Sequence, residues 1–144
     1  MTAYEPPFDV ILFDIGGVLV ELSGVPQMRE WAQIASDDEL WRRWLTSPSV
    51  RQFETGLATA DEFAAAICRE FALPLDGAAF LAAFAAWPSR VFPGAHDLLA
   101  ALAARHRLAA FSNNNSVHWE RISRDMGLGE YFSATFLSHE IGLI

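Results

Sequence analysis

The chain has 144 residues, 52% of them hydrophobic and 19% charged, which is enough apolar material for one cored domain and excludes a disordered chain. Eighteen acidic residues against ten basic ones give a formal charge of −8, and an acidic surface with scattered arginines excludes a general nucleic-acid binder, because backbone phosphates repel it. All ten basic residues are arginine and Cys68 is the only cysteine, so an internal disulfide and a thiolate zinc cluster are excluded and a reducing cytoplasm fits.

The opening segment Met1–Pro7 has no basic start, and the apolar run after it is soon interrupted by Asp14, so neither a signal peptide nor a membrane span is expected. That run, Val10-Ile11-Leu12-Phe13, is short and continuously apolar and ends in Asp14 and the turn-forming pair Gly16-Gly17. It predicts the first strand of a parallel sheet, buried on both faces. From Leu22 to Pro93 the pattern predicts helices only. Ser36-Asp37-Asp38-Glu39 reads as a helix start in which the serine caps and the glutamate reaches back, with Trp41, Trp44 and Leu45 as an apolar stripe. Thr59-Ala60-Asp61-Glu62 repeats that chemistry ahead of Phe63, Ile67 and Phe71. Asp76 caps a further helix bearing Phe80, Leu81 and Phe84, which Trp87-Pro88 ends.

Beyond the insert, a helix over Ala95–Arg105 leads to a second strand, Leu108–Phe111, which runs into Ser112-Asn113-Asn114-Asn115. A helix over Ser116–Met126, closed by Gly127 and Gly129, leads to a third strand, Ala134–Leu137. The rhythm predicts an α/β fold: a Rossmann-like parallel-sheet core from residues 1–21 and 90–144, with an all-α helical bundle, 22–89, inserted.

Asp14 at the C-terminal end of a strand stands where open α/β sheets bind ligands, beside glycine amides. A nucleophile suits that place, and so does a plain turn cap. Ser112 and the Asn113 amide, at the end of the next strand, could hold an anion that Asp14 attacks. The same asparagines could simply cap the helix from Ser116. His96, His106, His118 and His139 show no metal-ligand spacing and read as helix-surface or turn residues, His118 being closest to Ser112 in sequence. The five tryptophans read as packing rather than a base-stacking platform. Arg42, Arg43 and Arg51 are candidates to reach a substrate, although solvated helix faces look the same.

These residues resemble the haloacid dehalogenase superfamily. Its first motif is similar to Val10-Ile11-Leu12-Phe13-Asp14-Ile15-Gly16-Gly17-Val18-Leu19, and its second to Leu108-Ala109-Ala110-Phe111-Ser112-Asn113. The helical insert resembles the family's small α-helical cap. Phe53-Glu54-Thr55-Gly56, Phe92-Pro93-Gly94 and Leu137-Ser138-His139-Glu140-Ile141-Gly142 look like its sugar-phosphate phosphatases, the glucose-1-phosphatase-like group. The resemblance implies that Asp14 attacks phosphorus to give an aspartyl-phosphate, which water hydrolyses. It implies that Ile15, Gly16, Ser112 and Asn113 surround the phosphorylated small-molecule substrate. It also implies a magnesium ion held by Asp14 and the Gly16 carbonyl, since all-oxygen ligation suits this hard cation.

Two departures follow from the same resemblance. Many relatives carry a proton-donating acid two residues after the nucleophile, where this chain has Gly16. A good leaving group such as an anomeric phosphate suffers least from that loss, and the 2-haloacid dehalogenases, which release halide and need no proton, are an alternative. The family pattern also continues past Ile144 into a lysine and then acidic metal ligands. The reading is therefore of an incomplete core, expected to be inactive or nearly so by itself. One edge of Val10–Phe13 should be unpaired and invite a homo-oligomer. A degenerate relative that keeps the fold only to bind a partner is the non-enzyme alternative.

Overall fold

The computed structural model describes residues 8–144, so the Met1–Pro7 segment weighed above lies outside them. In chain order the elements are β1 (Val10–Phe13), β2 (Val20–Leu22), α1 (Gly24–Ala32), α2 (Asp37–Leu45), α3 (Pro48–Glu54), α4 (Ala60–Glu70) and α5 (Gly77–Ala85). They continue with β3 (Pro88–Val91), α6 (Ala95–Ala103), β4 (Arg107–Ser112), α7 (Ser116–Glu120), β5 (Ala134–Leu137) and α8 (Ser138–Ile141).

The fold is mixed α/β around a three-stranded parallel sheet in the order β1-β4-β5, with Phe13 beside Ala110 and Ala110 beside Thr135. Parallel neighbours need crossovers. The chain makes the first through the whole helical insert and α6, and the second through α7. That helix passes without a gap into a π turn over Arg121–Asp125, so the helix expected over Ser116–Met126 is present with a widened last stretch, and a short 3-10 turn follows over Gly129–Tyr131.

β1 is not buried on both faces. Ile11 and Phe13 pack into a core with Leu99, Leu108, Ala110, Ile122 and Leu128, which α6 and the α7 segment cover. Val10 and Leu12 point the other way and are 39% and 57% exposed, on the face shared with Phe111 and Phe136. The described helices cover one side of this sheet, and that one-sided covering turns an apolar run into an alternating pattern. The outer edge of β1 has no partner strand among the described residues.

The stretch from Leu22 to Pro93 is not helical throughout. β2 and β3 form an antiparallel ribbon in which Val20 faces Val91 and Glu21 faces Arg90, joined by the Glu21–Arg90 ion pair. Pro88 opens β3, where a missing N–H costs the ladder least. Strands of three and four residues are too short to show a period of two, which is why the sequence reading passed over them. The ribbon carries both chain crossings between the sheet and the helices.

The predicted N-caps form, although the glutamate reach-back expected at Ser36–Glu39 does not. The Ser36 hydroxyl accepts from the Glu39 amide, the Asp76 carboxylate from Ala79, and Thr59 with Glu62 makes a full capping box. α1 and α3 were not anticipated as separate helices. α3 starts on Ser47, which accepts from Val50, and Pro48 stands at its first position. Helices α1 to α5 enclose an aromatic core of Phe53, Phe63, Phe71, Phe80 and Phe84, in which Phe53 and Phe63 stack at 4.3 Å between centroids. Of the expected stripe, Trp44 packs against this core, meeting Phe63, Phe71 and Phe84, whereas Trp41 and Leu45 are exposed and Leu40 is the buried residue of α2.

Candidate active site

The loop after β1 is wound around the Ile15 carbonyl, which accepts from the amides of Val18, Leu19 and Val20. Gly17 makes the turn at φ 76°, where a side chain would be strained. The Ile15 side chain is fully buried in the sheet core, so its neighbours Asp14 and Gly16 face the opposite way, into a cavity of about 560 Å³. Asp14 lies one residue beyond the pair Phe13–Ala110, and Ser112 and Asn113, at the end of the adjoining strand, line the same cavity. Its other walls come from the helical side: Trp41, Trp44, Glu54, Phe84 and Trp87, with His118 from α7. That size suits a small-molecule site.

The structure thus brings Asp14, Gly16, Ser112 and Asn113 together. The Ile15 side chain belongs to the core and its amide donates to Asp14 Oδ1 at 2.7 Å, so any part it takes in the site is through its backbone. Asp14 Oδ2 has no partner among the described residues. None of Arg42, Arg43 and Arg51 lines the cavity, in keeping with the solvated-face reading; Arg43 lies over the Phe71 ring, 4.6 Å from its centroid. With no arginine among its lining residues, the cavity offers an anion backbone amides, the Ser112 hydroxyl and the side chains of neighbouring asparagines.

The Asn-rich loop is fastened from below. The Ser138 hydroxyl accepts from the Asn114 amide at 2.9 Å and donates to the Asn114 carbonyl at 2.8 Å, a reciprocal pair that fixes the backbone between Ser112 and α7. Asn115 caps α7 by accepting from the His118 amide, and its side chain meets His118 Nδ1 at 3.2 Å. Capping and a place at the cavity coexist in this loop.

His118 is not a surface residue. Its ring stacks on Phe84 at 4.0 Å, and Nε2 donates to the Phe84 carbonyl at 2.8 Å, which ties α7 to α5. Burial pushes its pKa down to about 4, partly opposed by that hydrogen bond. A histidine depressed in the fold contributes stability that is present above its unfolded pKa near 6.5 and lost as pH falls towards 4. We therefore expect about 3 kcal/mol from this group to vanish over that window. Urea midpoints at pH 7 and pH 4.5 check this, with His118→Phe losing less on acidification than the wild type; equal losses would mean the imidazole is not held neutral.

Glu54, at the end of α3, is a site residue the sequence reading quoted only within a motif. Burial raises its pKa to about 7, with a hydrogen bond from Trp44 pulling the other way. A glutamate ending a helix just before a glycine looks like ordinary surface chemistry in sequence, and nothing local marks it as desolvated.

A magnesium ion can be tested against these donors. The unpartnered Asp14 oxygen and the backbone at Gly16 are oxygen ligands facing the cavity, and magnesium is commonly bound by one or two carboxylates plus substrate phosphate and water. The donor set fits in kind and is sparse: among the described residues no group of three metal-ligating side chains occurs. No helix among them is long and apolar enough to cross a membrane.

The site thus sets an aspartate at the tip of a parallel strand, beside a serine from the next strand and beneath a helical roof, in an α/β fold. The family model for haloacid dehalogenase-like hydrolases matches residues 8–143, and the chain belongs to that family. Among solved structures it is similar to a haloacid dehalogenase family enzyme from Bacteroides thetaiotaomicron, crystallised with magnesium and inorganic phosphate. The two share 25% identity and a TM-score of 0.72 over 94% of this chain and 71% of that one. A predicted hydrolase of the same family from Porphyromonas gingivalis is 19% identical, with a TM-score of 0.73 over 94% and 69%. L-2-haloacid dehalogenase from Xanthobacter autotrophicus shares the fold at 22% identity, with a TM-score of 0.59 over 94% and 59%. No curated protein matches the chain.

Proposed function

We propose that this hydrolase is a magnesium-dependent phosphatase acting on a small phosphomonoester, such as a sugar phosphate, through an aspartyl-phosphate. One observation carries the reading: Asp14, Gly16, Ser112 and Asn113 line a single cavity at the C-terminal ends of two adjacent parallel strands. Asp14, held through its other oxygen by the Ile15 amide, attacks phosphorus. Ser112 and the Asn113 backbone hold the phosphoryl oxygens, which gain charge in the transition state. Asp14 and the Gly16 carbonyl would hold the metal, which supplies charge neutralisation on the phosphoryl group when bound. The helical unit acts as a cap whose tryptophans and Phe84 wall the cavity and exclude water from the leaving group. A relative crystallised with magnesium and inorganic phosphate is consistent with this chemistry.

Phosphate release from p-nitrophenyl phosphate, measured with magnesium and with chelator, tests the reading. Release that needs the metal and disappears in Asp14→Asn supports it. Chloride release from 2-chloropropionate without phosphate release would replace it with the dehalogenase reading, and binding of substrate with release of neither would leave a ligand-binding relative.

We further propose that the unpaired β1 edge, with Leu12 beside it on the uncovered sheet face, drives association of copies of the chain. Light scattering over a dilution series should show oligomers that Leu12→Arg dissociates. A monomer at every concentration would refute this.

A further inference from the structure

Three titratable side chains line the cavity: Asp14, Glu54 and His118. Asp14 is the attacking carboxylate of the proposed function, on which this inference rests, and it cannot also donate a proton. His118 spends one ring nitrogen on the Phe84 carbonyl and the other on Asn115. Gly16, which faces the cavity beside Asp14, has no side chain. An alkyl leaving group nonetheless departs as a strongly basic oxygen and needs a proton.

We propose that Glu54 is the proton donor to the leaving-group oxygen, delivering from the helical side what position 16 lacks on the sheet side. Its place is fixed by close packing. Two residues on, Gly56 at φ 74° lies so near α8 that a Cβ there would stand 2.3 Å from the His139 carbonyl oxygen. Because α8 begins directly after β5, that contact presses the end of α3 onto the same rim of the sheet that bears Asp14. Trp44, on α2, lines the cavity beside Glu54.

Several titratable groups surround Glu54. Asp14 and His118 share its cavity; His139 and Glu140 stand on α8, where Glu140 accepts from Thr135. Arg43 on α2 covers Phe71, and Glu70 on α4 accepts from the Ser49 amide. Arg51, on α3 itself, is exposed. None of these charges is a cause of the Glu54 shift; desolvation is, and a pKa of about 7 leaves the group able both to give a proton and to regain it.

The cycle balances. An Asp14 oxygen bonds to phosphorus, the bond from phosphorus to the leaving oxygen breaks, and the electron pair left on that oxygen takes the Glu54 proton. Water then attacks the aspartyl-phosphate and gives a proton to the Glu54 carboxylate. The bond from phosphorus to Asp14 breaks with its electron pair returning to the carboxylate.

The test compares n-butyl phosphate, a poor leaving group, with p-nitrophenyl phosphate, a good one, on the natural gene product with magnesium. Glu54→Gln should lower kcat for the butyl ester by about a hundredfold or more and for the nitrophenyl ester by less than about threefold. The fall of wild-type butyl-ester turnover as pH rises through about 7 should disappear in the variant. Adding Gly16→Asp should restore butyl-ester hydrolysis, since a Cβ at 16 meets only the movable end of Leu22 at 3.0 Å. Equal losses on both esters, or none, would overturn the role of Glu54 and leave the phosphatase reading standing. Phosphate release from neither ester that depends on Asp14 would remove the phosphatase reading, and this proposal with it. Should Glu54→Gln fail to fold, carbon-13 titration of the wild-type carboxyl decides, and ionisation at the ordinary glutamate value overturns the proposal.

Discussion

Phe84→Ala is expected to cost about 3–5 kcal/mol, the loss typical of deleting a buried aromatic ring, and so a large part of a small domain's stability. The ring is 1% exposed and is a hub: Trp87 lies 4.9 Å away between centroids, Phe63 5.2 Å, Phe80 5.5 Å and His118 4.0 Å. These neighbours come from α4, α5, the ribbon entry and α7, so the space left behind cannot be filled by one side chain relaxing. A second readout follows from the same contact. With the ring gone, water reaches His118 and its imidazole should titrate well above the wild-type value of about 4. Urea unfolding measures the first effect and proton NMR the second. A loss under about 1 kcal/mol with an unmoved His118 would mean that α5 and α7 do not meet as described.

Much of this arrangement could be read in advance from local chemistry. Asp14 and Ser112 were found because a strand end followed by turn residues is a short-range pattern, and the Thr59 capping box because its two partners lie three residues apart. The helix caps and the three parallel strands are of the same kind. What was not legible depends on distance in space. The exposure of Val10 and Leu12 depends on which side the helices cover, a property of the assembled layers. His118 looked like one more helix-surface imidazole because Phe84, 34 residues earlier, is what buries it. Glu54 became a cavity residue only when α3 was pressed onto α8, and the burial of the Ile15 side chain depends on the layers that close beneath the loop. The cavity itself lies between chain segments that no sequence window contains.

Gly56→Ala should be more damaging than Gly17→Ala, although the two glycines have nearly the same backbone conformation, φ 74° and φ 76°. An alanine in that left-handed region costs about 1 kcal/mol at either position. At Gly17 nothing lies within 4 Å of the added methyl, so that is the whole expected effect. At Gly56 the methyl would stand 2.3 Å from the backbone oxygen of His139, and a carbonyl in α8 cannot swing aside as a side-chain end can. The loop must lift off α8, which adds about 1–3 kcal/mol of overpacking strain and admits water beside Glu54. The difference between the two variants isolates the steric part from the conformational one. The Glu54 carboxyl supplies the functional reading: lifted into water, it should titrate near its ordinary value instead of about 7. Equal urea midpoints for the two variants, with Glu54 unchanged, would mean that α3 is not seated on α8 and that the cavity wall bearing Glu54 is not fixed by this contact.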